Sequence, residues 1–97
     1  MPDLTITPLA RGDIKDIGRY TQTTWGMAQR DAYLRAFTAV FEQMRDGTIS
    51  GRARGEIREN LLCYPCNKHM VFFRRTGGGD VQILRVLHER MDFGQHL

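Results

Sequence analysis

The stretch Met70-Val71-Phe72-Phe73-Arg74-Arg75-Thr76-Gly77-Gly78-Gly79-Asp80-Val81-Gln82-Ile83-Leu84-Arg85-Val86-Leu87 decides the fold. Residues 76–80 are a turn: three consecutive glycines between Thr and Asp sustain neither helix nor ladder. The apolar runs on either side are too short for globular helices and are rich in β-branched and aromatic residues, so they read as an antiparallel pair of strands. Both runs are apolar on both faces, as expected of strands covered from two sides. Arg85 is the interruption. A guanidinium set in an apolar strand is expected to be at least partly buried and to need a partner, for which Glu89, Asp92 or a ligand carboxylate is expected.

Working back from this pair, residues 60–66 form a third strand. Pro65 lies inside it and cannot donate to a ladder, so the strand is expected at an edge. Asn67-Lys68 is a tight turn into the next strand. Before these strands the character changes. Gly47, Gly51 and Gly55 alternate with Arg52 and Arg54 without periodicity, which predicts a flexible basic loop over residues 47–56.

Earlier still the period is helical. Thr7-Pro8 is a helix start, with Thr as N-cap and Pro at the first helical position. Asp13 and Asp16 fall early in this helix, where the dipole favours negative charge. Ala10, Ile14, Ile17, Thr21 and Trp25 recur on one narrow face, and Gly18 at its edge predicts a close neighbour. Gly26 stops the helix. Tyr33, Leu34, Phe37, Val40, Phe41 and Met44 make the wide stripe of a second helix. The short joint at Gly26 folds the two helices back as an antiparallel hairpin. Leu4-Thr5-Ile6-Thr7 alternates as a short first strand. The fold class is therefore α+β: strand, α-helical hairpin, then a three-stranded antiparallel meander, with the hairpin packed on one sheet face.

The whole of residues 1–97 is expected to be a single domain, since this length leaves no room for a second core. Apolar residues make up 41% and charged residues 26% of the chain, which argues against disorder. A net charge of +3 favours acidic partners without naming one. The start lacks the basic and apolar pattern of a signal peptide, and no apolar run is long enough for a membrane helix, so a cytoplasmic protein without membrane association is expected.

Few constellations point to chemistry. Cys63 and Cys66, with His69 nearby, lack an obvious fourth ligand for structural zinc and sit on a strand rather than at a helix start, so small side chains packing on a strand is the better reading. The glycine run is followed by a strand rather than a helix, so it is a turn and not a phosphate loop. No metal and no cofactor is expected. Arg52, Arg54, Arg58, Lys68, Arg74, Arg75, Arg85 and Arg90 crowd the second half, where a basic sheet could hold RNA or an acidic peptide or could simply face solvent. His88, near Arg85, Glu89 and Arg90, could act as a general acid or base, but is more often a hydrogen-bonded structural residue. Met91, Phe93 and Leu97 form an apolar tail that either folds back over the core or docks a partner.

Ile17-Gly18-Arg19-Tyr20-Thr21, Trp25-Gly26-Met27-Ala28-Gln29 and Tyr33-Leu34 resemble the helical hairpin of the ParE toxins, in the RelE/ParE superfamily of bacterial toxin–antitoxin systems. Gly51-Arg52, Ile57-Arg58, His69-Met70-Val71-Phe72 and Ile83-Leu84-Arg85-Val86-Leu87-His88-Glu89-Arg90-Met91-Asp92 resemble that family's sheet in the same order. The likeness runs nearly end to end. Three features depart from it: residues 46–49 lack the usual proline, Asn67 stands where glycine is frequent, and Cys63 and Cys66 are unusual. The resemblance implies the toxin of a type II toxin–antitoxin system, neutralised by a ParD-like antitoxin and inhibiting DNA gyrase without a catalytic centre of its own.

A binding toxin needs apolar anchors and arginines. Tyr20, Trp25, Arg58, His69, Arg74, Arg85, His88, Arg90, Met91 and Asp92 are the candidates for antitoxin or target contact, with core packing the better reading for Trp25 and for Phe41. The antitoxin could add a strand at the Pro65 edge or lay a helix in a groove. The alternative is a RelE-like ribosome-dependent mRNA endonuclease, which needs a base, an acid and cations around the phosphate. Arg58, Arg74, Arg85 and His88 would have to supply them. A third reading is a chain that binds antitoxin but has another target or none.

Overall fold

A computed structural model describes residues 2–97. Strand β1 (Leu4–Ile6) leads into helices α1 (Pro8–Trp25) and α2 (Met27–Arg45), followed by strands β2 (Arg52–Ala53), β3 (Leu62–Cys66), β4 (His69–Arg75) and β5 (Val81–His88). A single 3-10 turn at Phe93–Gln95 closes the chain. The strands form one sheet in the order β1-β5-β4-β3-β2, with β1 parallel to β5 and every other pair antiparallel.

The helix signals act as their chemistry requires. The Thr7 hydroxyl accepts the Ala10 amide at 3.2 Å, and Pro8 takes the first turn. Gly26 separates the helices with φ of +93°, a backbone that L side chains disfavour. Gly18 is buried where the helices cross, and a β-carbon there would stand 3.4 Å from Leu34 Cδ1. The first turn of α1 holds no acidic residue, so Asp13 and Asp16 do not complement the helix dipole as expected. They lie further along, and each has a different task.

The sheet is covered on both faces. On one, Phe37, Phe41 and Met44 from α2 and Ala10 from α1 pack on Val71, Phe73, Val81, Ile83 and Val86. On the other, Leu61, Cys63, Phe72 and Leu87 are closed over by Ile57, Met70, Leu84, Phe93 and Leu97. The tail thus folds back as one of the two expectations had it, with Phe93 edge-on to Phe72 at 4.9 Å. Met91 departs from that expectation: it is 45% exposed and outside the second core. Full burial of each phenylalanine contributes roughly 1.5–3 kcal/mol, so Phe37, Phe72 and Phe73 anchor both layers.

The glycine-rich segment over residues 47–56 is more ordered than predicted. It contains β2, whose Arg52 and Ala53 pair with Cys63 and Leu62. This makes the sheet five-stranded and moves the edge. Tyr64, Pro65 and Cys66 extend past β2, so the proline occupies the part of β3 that β2 leaves open. The missed strand has a local cause. Gly51 (φ +80°) lets the chain pass over Phe73, where a β-carbon would meet the ring at 2.5 Å. Two residues of strand leave no alternation to detect. Gly51→Ala is expected to destabilise the protein by about 2 kcal/mol, from positive φ and overpacking together. Thermal denaturation measures this, and an unchanged melting temperature would contradict the placement of β2.

Arg85 finds its partner across the molecule. β1 ends at Ile6, leaving the lower edge of β5 without a strand beside it. Asp13 of α1 fills that place. Its carboxylate accepts the Val86 backbone amide at 2.9 Å and takes Arg85 in a fork, at 2.8 Å from Nε and 2.9 Å from Nη2. Arg85 Nη1 also donates to the His96 carbonyl at 3.2 Å, tying the tail to the same point. The expected partners Glu89 and Asp92 are not the ones used: both are exposed beyond the end of β5, whereas α1 runs along the open edge of the strand and brings Asp13 to it. The β4–β5 register shifts beside this position, with Phe72 opposite Arg85 and Phe73 opposite Ile83. Leu84 is the extra residue of that bulge.

Candidate functional site

The joined end of the hairpin, around Gly26, and the β3–β4 turn enclose a cleft of about 770 Å³. Helix α1 lines it with Asp16, Ile17, Tyr20, Thr21 and Trp25, and α2 with Gln29 and Tyr33. Asn67, Lys68 and His69 enter from the turn and the start of β4, and His88 from the end of β5. The α1 residues recur at three- and four-residue spacing, so they share one side of the helix. Ile17 and Thr21 lean into the protein, while Tyr20 and Trp25 are 69% and 70% exposed. Trp25 is therefore not the core residue expected of it. The apolar face of α1 rolls off the sheet before its last turn, leaving the indole beyond the packed layer. Phe41 is in the core as expected.

The histidines face each other across the sheet. His69 and His88 are register partners of β4 and β5, and their rings meet edge-to-face with centroids 5.3 Å apart. The Tyr33 hydroxyl is 3.1 Å from His69 Nδ1, and the Asn67 side-chain amide donates to the Tyr33 carbonyl at 3.3 Å. Burial pushes the Tyr33 phenol up, with the Lys68 backbone amide acting in the opposite sense on its oxygen, so the phenol keeps its proton. Assigned from this network, Tyr33 donates to Nδ1 and the His69 proton sits on Nε2. The Arg90 backbone amide donates to His88 Nδ1 at 3.1 Å, which places the His88 proton on Nε2 as well.

Burial, and then the neighbouring His88, push the His69 pKa below the ordinary histidine value, against weaker opposite pulls from Glu89 and Asp13. The unfolded chain thus holds this proton more tightly than the folded one. Stability contributed by neutral His69 is full above the ordinary value of about 6.5 and is lost as pH falls through it toward the lowered folded value. Melting temperature is expected to fall between about pH 7.5 and about pH 5.5 and to fall less in His69→Asn, which keeps an acceptor for Tyr33 but has no titrating ring. Equal slopes for the two proteins would contradict this environment.

Tyr20, Trp25, His69 and His88 are thus brought together, and the other expected site residues lie elsewhere. Arg85 is spent on Asp13. Arg58 is exposed in the turn before β3. Arg74 binds Gln82 at 2.6 Å, near the end of β4 opposite to His69. Five residues of strand put them roughly 17 Å apart. Arg58, Arg74, Arg85 and His88 therefore do not converge on one phosphate. Arg90, Met91 and Asp92 follow β5 and are exposed, and among the described residues neither Arg90 nor Asp92 forms an ion pair. Cys63 and Cys66 are buried free thiols in opposite layers of the core, and burial raises the Cys66 pKa, which makes it unreactive. Among the described residues no group of three histidine, cysteine or acidic side chains could hold a metal ion. Asp16, Gln29, Tyr33 and Asn67 were not expected at a site, and Lys68 was expected only as one of the basic residues of the second half. Asp16 lies four positions before Tyr20, so helical spacing from the exposed tyrosine would have found it.

The chain superposes on a structure titled "Chromosomal ParDE TA system from P. aeruginosa" with a TM-score of 0.76 and 18% identity, over 91% of this chain and 96% of that one. Residues 4–93 match the family model described as "ParE toxin of type II toxin-antitoxin system, parDE". Toxin ParE1 of Mycobacterium tuberculosis is 33% identical over 92 residues, covering 95% of this chain and 94% of its own. Toxin ParE1 of Caulobacter vibrioides is 32% identical over 88 residues, covering 91% and 90%. Toxin ParE of Escherichia coli is 30% identical over 87 residues, covering 90% and 84%. The chain belongs to the ParE toxin family of type II toxin–antitoxin systems.

Proposed function

We propose that this protein is a toxin that inhibits DNA gyrase by binding it, and that a ParD-like antitoxin neutralises it through the cleft between hairpin and sheet. The single observation that carries the binding part is the exposure of Tyr20 and Trp25 on one wall of a cleft with a polar floor. Large aromatic side chains left outside the core, beside a concave surface, are the anchors that protein partners bury. The open edge of β3 at Tyr64–Cys66 leads directly into the cleft residues Asn67 and Lys68, so one partner segment can use both. An acidic antitoxin also complements a chain of net charge +3.

Membership of the ParE toxin family supports the gyrase target, and the separation of the four candidate residues disfavours the nuclease alternative. Among the described residues no helix is long and apolar enough to cross a membrane, and a gyrase target would be met in the cytoplasm. Induced expression of the chain alone is expected to arrest growth and to leave broken chromosomal DNA. Coexpression of the cognate antitoxin is expected to restore growth. Arrest accompanied by cut messenger RNA and intact chromosomes would favour the nuclease reading, and normal growth would remove the toxin reading for this chain.

A further inference from the structure

We propose that the floor of the cleft is a carboxylate seat: an aspartate or glutamate of the antitoxin docks against His69, His88 and Lys68 while its apolar neighbours cover Tyr20 and Trp25. This rests on the reading that antitoxin occupies the cleft, and adds what its occupant must carry there.

The argument begins with the lone pairs. Each histidine already accepts a hydrogen bond at Nδ1, His69 from Tyr33 and His88 from the Arg90 amide. Each therefore carries its remaining proton on Nε2, an N–H donor that no acceptor among the described residues takes, and both rings line the cleft. Lys68 adds a cation on the same lining, and Tyr20 and Trp25 supply apolar walls. Asp16 is the one carboxylate among the lining residues, and it stands on α1, across from the β-strand side that holds the three nitrogen groups. Glu89 follows His88, but its backbone amide is bound to the Lys68 carbonyl at 2.9 Å and its side chain is exposed. Anionic and apolar groups side by side match this lining, whereas a cation would meet Lys68 and two N–H donors.

Such a seat is coupled to protons. In the free protein burial, and then the His88 ring in contact with it, disfavour charge on His69. An incoming carboxylate reverses this for His69, because an opposite charge within a few ångströms favours the imidazolium. Binding then takes up a fraction of a proton near neutral pH. Affinity rises as pH falls through the His69 value in the complex and levels off below its value in the free protein. The groups that set this balance are Asp16 and Asp13 on α1, Tyr33 on α2, Cys66 and Lys68 around the β3–β4 turn, and His88 and Glu89 at the end of β5.

The test is calorimetric titration of the chain with its purified cognate antitoxin, in two buffers of different protonation enthalpy, from about pH 8 to about pH 6. Expected are net proton uptake and tighter binding at lower pH. His69→Asn and His88→Asn each keep an acceptor where Nδ1 was, so Tyr33 and the Arg90 amide stay satisfied while the Nε2 donor is gone. Each should weaken binding roughly tenfold at the lower pH, and His69→Asn should also reduce the proton uptake. Single Asp→Asn and Glu→Gln replacements along the antitoxin should contain one that does the same. Melting temperatures of the free variants at about pH 8 confirm that they fold. Tight binding without proton uptake, unaffected by either histidine variant, would overturn the seat and leave the antitoxin reading standing. Failure to form any complex would overturn both.

Discussion

Asp13→Ala is expected to destabilise the protein by about 4 kcal/mol, because it strands two groups at once. The Arg85 guanidinium is left without its fork partner in a place where its side chain is only 17% exposed. The Val86 amide loses the acceptor that stands in for the missing continuation of β1. A chain of this size unfolds with a total of roughly 5–15 kcal/mol, so the loss is a large fraction of it. The melting temperature should fall by about 20 °C. Asp13→Asn retains an acceptor for one of the two and should lose about half as much. Arg85→Ala should fall between them, since Asp13 keeps the Val86 amide and can hydrate. An Asp13→Ala protein that melts within a few degrees of the parent would show that the α1–β5 junction is held by apolar packing alone.

The second large effect is on binding and not on folding. Trp25→Ala is expected to weaken antitoxin binding on the order of 100-fold, since a buried tryptophan anchor contributes 2 kcal/mol or more by rough rule. Its melting temperature should move by only about 2–3 °C, as the side chain is 70% exposed in the free chain. The two readouts together discriminate between positions. A core tryptophan would move both, and a tryptophan outside the interface would move neither. Because Trp25 is the chain's single tryptophan, its fluorescence also reports the cleft directly, and antitoxin binding should shift the emission to shorter wavelength.

The elements that were legible beforehand are those whose signal is local. The Thr7-Pro8 start, the Gly26 break and the glycine turn at residues 76–80 each encode their own backbone, and the structure follows them. The strands of the central hairpin read correctly because an apolar run on both faces has only one stable place, inside a covered sheet. What escaped was long-range. β2 is two residues long and exists because Gly51 lets the chain lie over Phe73, a contact across 22 positions. The Arg85 partner came from 72 residues away in the chain, and periodicity is blind to it. The cleft was half legible. His69, His88, Tyr20 and Trp25 were singled out one by one, yet the pairing of the histidines depends on the β4–β5 register, and the exposure of Trp25 depends on where α1 leaves the sheet.

One assay tests the central claim most directly. Purified chain, freed of antitoxin, is added to DNA gyrase with relaxed plasmid, and in parallel to an in vitro translation reaction. The account predicts loss of supercoiling with accumulation of cleaved DNA, reversal by added antitoxin, and undisturbed translation. Unaffected gyrase together with codon-dependent cuts in the messenger RNA would contradict it.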